Sequence, residues 1–151
     1  DDDSRERWGT GDARINSIEL IASDGLQTQL IESNAAVQVR CQITAHVRID
    51  SPILRIKITK LNGDIIWVTS TQRGTNTLRV LEGPATATLD IPKLGLLEGT
   101  YYLSASLSDP TGTTEFDHCQ NWIRFNVHKT NLFDEGVVSV DSTWSLERHH
   151  R

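Results

Sequence analysis

Apolar and polar residues alternate with a period of two over most of this chain, and no stretch carries the spacing of an amphipathic helix. The longest run sets Val37, Val39, Cys41, Ile43, Ala45, Val47 and Ile49 on one face and Gln38, Arg40, Gln42, Thr44, His46 and Arg48 on the other. That is the pattern of a strand with one buried and one wet side. Ile18, Leu20 and Ala22 predict an earlier strand that stops at the turn Ser23-Asp24-Gly25. After Ser51-Pro52, Leu54, Ile56 and Ile58 begin another, with Arg55, Lys57 and Thr59 on its open face. Asn62-Gly63 is a hairpin signal that returns the chain over Asp64 to Thr71. Gln72 to Leu81 reads as a polar loop or a weak edge strand, closed by Gly83-Pro84.

A corner follows. Ala87, Leu89 and Ile91 alternate with polar residues before it, and Tyr101, Leu103, Ala105 and Leu107 after it. Pro92 cannot donate to a ladder and Gly99 tolerates left-handed backbone, so the residues between them cross from one strand to the next. Tyr101 lies on the core side beside this corner, where its hydroxyl is expected to tie down backbone. Beyond the turn Asp109-Pro110-Thr111-Gly112, Ile123, Phe125 and Val127 alternate with Trp122, Arg124 and Asn126, and Gly136 to Val140 start a last short strand ending near Trp144. About eight short strands marked off by turns predict an all-β, antiparallel sandwich of immunoglobulin-like or jelly-roll type. Residues 1–14 are then a linker and docking segment, 15–144 the sandwich and 145–151 a tail. Trp8 and Trp144 flank the ends of this unit and are expected to seal them.

At 151 residues the chain can bury a core without staples. Its formal charge is -5, of which the opening Asp1-Asp2-Asp3-Ser4-Arg5-Glu6 supplies -3. With Lys and Arg scattered elsewhere, that balance disfavours nucleic acid as a partner. No apolar run is long enough to span a bilayer, and no charged-then-apolar leader opens the chain. The start at Asp1 and the lack of any Met lead us to expect a fragment whose beginning lies upstream. Cys41 and Cys119 both take core parity. An immunoglobulin-type bridge is one arrangement. The lack of a Trp between Ile53 and Leu61, and of any N-x-[ST] sequon, favours buried free thiols.

Four stretches carry a family likeness: Arg7-Trp8-Gly9-Thr10-Gly11-Asp12-Ala13-Arg14-Ile15, the strand after Pro52 with its Asn62-Gly63-Asp64 turn, the corner from Ile91-Pro92 to Leu107, and Gly136-Val137-Val138 followed by Trp144. Together they span nearly the whole chain. It resembles the carboxy-terminal domain of the ATP-binding subunit of Wzt-type ABC transporters, which export O-antigen polysaccharide. The resemblance implies a non-catalytic carbohydrate-binding module, cytoplasmic and held at the inner face of the inner membrane through the transporter. It also implies an upstream nucleotide-binding domain that would take ATP and Mg, with no cofactor in this fragment. The implied partners are the finished end of lipid-linked O-antigen, the transporter's membrane subunit and a second copy of the chain. Whether the last strand exchanges between protomers stays open. The alternative is a structural dimerisation domain that touches no sugar.

The residues themselves narrow the chemistry. There is no G-x-x-x-x-G-K-[ST] to cradle phosphates, no G-x-S-x-G and no H-E-x-x-H. Asp117-His118-Cys119 are consecutive on a strand, so they point to opposite faces and cannot all reach one ion. Asp64, Asp90, Glu115 and Asp117 are not paired as a glycosidase requires. A pyranose has hydroxyls at its rim and an apolar C–H face, so its receptor needs planar hydrogen-bonding groups and an aromatic ring. Arg40, Gln42, His46, Tyr102, Ser104, Trp122 and Arg124 have outward parity and converge on one face if their three strands are neighbours. Trp67 joins these candidates as a further ring, although the pattern of Ile65 to Thr71 does not decide which way it faces.

Overall fold

A computed structural model describes residues 4–72, 78–128 and 133–149. Among the described residues nine strands run in chain order: β1 (Glu6–Trp8), β2 (Ala13–Ala22), β3 (Leu30–Glu32), β4 (Val37–Asp50), β5 (Ile53–Lys60), β6 (Ile65–Ser70), β7 (Val80–Ile91), β8 (Gly99–Ser108) and β9 (Glu115–His128). The larger sheet has the order β1-β9-β8-β5-β6, with β3 against the end of β9, and the smaller is β2-β4-β7. Among the described residues only the short β3 pairs in parallel, and the other strand pairings are antiparallel. The two sheets form the expected sandwich. Between them lie Leu20, Val39, Cys41 and Ile43 from the smaller sheet and Ile58, Leu103, Leu107, Cys119 and Phe125 from the larger, all essentially inaccessible. The Tyr101 hydroxyl donates to the Leu97 carbonyl at 2.7 Å, fixing the corner as expected.

Several local expectations are corrected. Gly83-Pro84 does not close a loop but lies inside β7, with Pro84 opposite Thr44. Because β7 is an edge strand, the missing proline N–H need not cost a ladder bond. Of the polar stretch before it, residues 73–77 lie outside the described residues. In β4 the register against β7 shifts between Ala45 and Ile49, and Val47, expected inside, is exposed. Gly136 to Val140 makes only a single bridge, Val138 opposite Leu96, not a strand. Trp144 is 101 % exposed and seals nothing in this protomer. At the other end, the linker and docking segment docks by sheet pairing: β1 is an edge of the larger sheet, and Ala13 opens β2 fully buried.

The segment from Arg7 to Ile15 straps one sheet to the other, and its residue types follow from that task. The Arg7 guanidinium donates to both oxygens of Asp117 on β9, at 3.0 and 2.6 Å, and to the Ile15 carbonyl on β2 at 2.9 Å. Asp117 also accepts the Ile15 N–H at 2.8 Å, so this buried carboxylate ties both sheets together. Its hydrogen bonds hold the Arg7 pKa above its usual value. At Gly9, with φ of +143°, a Cβ would lie 2.3 Å from the Phe116 carbonyl oxygen, so only glycine fits. The backbone N–H groups of Thr10 and Gly11 then bond the Glu115 and Phe116 carbonyls. Cys41 and Cys119 are free and buried, and burial pushes their thiols up to about 12 and about 11.

Candidate functional site

The residues expected to converge do not share one face. Arg40, Gln42 and His46 stand on β4 in the smaller sheet, whereas Tyr102, Ser104, Trp122 and Arg124 stand on β8 and β9 in the larger. Outward residues of the two sheets point away from each other across the sandwich, so no ligand of sugar size touches both groups. Trp67 pairs with Ile58, which faces the core, and the indole packs against that core. Tyr102 has outward parity but is only 7 % exposed. The buried Ser104 hydroxyl accepts the Asn121 N–H at 2.8 Å.

Trp122 departs from its parity for an identifiable reason. Between the pairs Ala105–Cys119 and Leu103–Ile123 the register slips, and Asn121 takes a φ of 54°. This bulge redirects the strand. The indole of Trp122 packs against the core, with the Arg5 guanidinium 4.7 Å and that of Arg7 5.5 Å from its ring centroid. It anchors the amino-terminal segment by cation–π contact instead of offering an open platform. Arg124 alone of this group remains exposed on the outer face.

The same face nevertheless carries a polar site. Register places Trp8, His118, Ser106, Arg55 and Ser70 in one line across β1, β9, β8, β5 and β6. Small serines occupy the central strand and long polar side chains the flanking ones, which leaves a depression of about 260 Å³ lined by Arg55, Lys57, Ser104, Ser106, Glu115 and His118. Arg55 donates to the Ser108 hydroxyl at 3.0 Å. Lys57 and the Ser106 side chain carry no hydrogen bond or ion pair among the described residues. His118 is fixed by Glu115 and Gln120, each 2.8 Å from one ring nitrogen. Burial works against the Glu115 carboxylate, but hydrogen bonds from His118 and Trp8 outweigh it and hold the pKa below the usual range. The depression therefore offers a cation, a hydroxyl, a guanidinium and an ionised carboxylate.

A second depression, of about 500 Å³, lies at one end of the smaller sheet and includes Gln38, Arg40 and Asp90. Its polar groups are turned on each other: Gln38 donates to Asp90 at 2.5 Å and accepts from Arg40 at 3.5 Å. Gln42 accepts from Thr86 at 2.7 Å in the same manner. No aromatic side chain lines it. Among the described residues no group of three or more His, Cys, Asp and Glu is placed to hold a metal ion, and no helix is long and apolar enough to cross a membrane.

A family model and one solved structure agree with this architecture. The family model described as the Wzt C-terminal domain matches residues 4–140. A crystal structure of the C-terminal domain of Wzt superposes with a TM-score of 0.85 at 21% identity, covering 97% of this chain and 90% of that one. A CARDB domain from Pyrococcus furiosus, solved with di-metal ions, gives a TM-score of 0.44 at 12% identity, covering 83% and 90% of the two chains. No curated protein sequence matches the chain.

Proposed function

The chain belongs to the Wzt C-terminal domain family, and from that premise we propose that it is a non-catalytic module that recognises the end of a lipid-linked O-antigen polysaccharide for export by an ABC transporter. The observation that carries the choice of site is the depression on the larger sheet, where Lys57 and the Ser106 side chain have no hydrogen bond or ion pair among the described residues, beside Arg55 and Glu115. Sugar hydroxyls both donate and accept, and this set supplies partners for each role. Glu115 is the one carboxylate lining it, whereas glycoside hydrolysis uses a facing pair. Through the full-length protein the module would sit with the transporter's membrane subunit at the inner face of the membrane.

Binding can be measured by calorimetry with purified surface polysaccharide of the source cell. Hydrogen bonds to a charged group are worth about 1.5 kcal/mol or more, so Lys57→Ala and Arg55→Ala should each weaken binding about tenfold. Arg40→Ala, on the opposite sheet, should leave it unchanged. Full affinity in folded Lys57→Ala and Arg55→Ala, or a loss confined to Arg40→Ala, would move the site elsewhere.

The same reading includes a homodimer formed by exchange of the carboxy-terminal segment. Val140, Trp144 and Leu146 are 72 %, 101 % and 88 % exposed, a run of apolar surface unusual for a lone protomer. β6 and β7 leave open sheet edges, and Ala85, Ala87 and Leu89 on β7 are only partly buried. Removal of everything from Phe133 onward should yield a monomer by light scattering. A truncated protein that remains dimeric contradicts strand exchange.

A further inference from the structure

We infer that Trp8 is the aromatic platform on which a pyranose ring of the bound polysaccharide lies; the inference rests on the glycan-recognition reading above. Its indole is stacked on the His118 ring, with centroids 4.0 Å apart and planes 15° from parallel. Its Nε1–H donates to Glu115 Oε2 at 2.5 Å. One ring face is thus covered and the in-plane orientation fixed, yet Trp8 stays 45 % exposed. An indole held flat in this way needs little ordering when a ligand arrives, which is the condition under which an aromatic contact adds most affinity.

Its position suits the task. Trp8 opens the line that continues through His118 and Ser106 to Arg55. Three strand spacings separate Trp8 from Arg55, about 14 Å, so a run of sugar rings that rests one C–H face on the uncovered side of the indole passes over the Trp8–His118 pair to reach Lys57 and Arg55 with its hydroxyls. The two groups that hold the indole, His118 and Glu115, also line the depression. No other tryptophan offers this arrangement: Trp67 and Trp122 pack against the core, and Trp144 is fully exposed with no ring contact among the described residues.

The test uses the whole chain labelled with 5-fluorotryptophan, which gives four indole signals in ¹⁹F NMR. The Trp8 signal is assigned by its loss in Trp8→Phe. Purified surface polysaccharide of the source cell should shift this signal, leaving that of Trp67 in place. In calorimetry Trp8→Leu should weaken binding about tenfold, while Trp8→Phe, which keeps a ring, recovers part of the loss. A merely structural Trp8 would lower the thermal midpoint when replaced but would not shift on titration, so the fluorine signal decides even if Trp8→Leu folds poorly. Polysaccharide that binds without moving the Trp8 signal overturns the platform and leaves glycan recognition standing. Polysaccharide that does not bind the wild-type chain overturns both.

Discussion

Replacing Gly9 by alanine should destabilise the domain by about 3 kcal/mol or more, lowering its thermal midpoint by roughly 6 to 12 °C for a chain of this size. The added methyl would meet the Phe116 carbonyl oxygen at 2.3 Å and the Asp117 Cα at 2.7 Å. These are backbone atoms of a central strand pairing and cannot swing aside as a side-chain tip would. Gly11 is the internal control. It too has a positive φ, +82°, but nothing lies within 4 Å of a Cβ built there. Gly11→Ala should therefore cost only the local backbone penalty, about 1 to 2 kcal/mol. Equal, small shifts for the two variants in thermal unfolding would show that the strap is not packed against β9 as described.

Asp117→Ala is expected to cost a similar amount, about 3 kcal/mol, by a different route. It leaves the Arg7 guanidinium without its carboxylate and the Ile15 N–H without an acceptor, both against a buried site. Breaking one side of such a pair is worse than removing both, so Arg7→Ala with Asp117→Ala should be less destabilising than the sum of the two single changes. Asp117→Asn keeps an acceptor for Ile15 and should fall between wild type and alanine. Strict additivity in urea unfolding would contradict a coupled latch.

The fold was legible because period-two alternation is set by burial, and β4 shows it from Val37 to Ala45, up to the register shift that exposes Val47. The site was less legible for three physical reasons. Parity says which face of its own sheet a residue takes, but not which sheet the strand joins; Arg40 and Trp122 were thereby brought to one surface although β4 and β9 lie in different sheets. A bulge resets parity, and the one at Asn121 turned Trp122 toward the core. Finally, Trp8 lies in a glycine-rich stretch with no period, so nothing in the pattern assigns it to β1 beside His118. Arg55 and Lys57 were readable as outward residues of β5, and only strand order reveals that they lie opposite Ser106 and Ser104, with His118 on the strand beyond.

The central claim is that glycan is held on the outer face of the larger sheet. Backbone amide shifts followed by NMR during titration with purified surface polysaccharide test it most directly. The account predicts that the largest changes cluster on Trp8, Arg55, Lys57, Ser106 and His118, with β4 and β7 unaffected. Changes centred on Arg40, Gln42 and Thr88, or none at saturating polysaccharide, would contradict it.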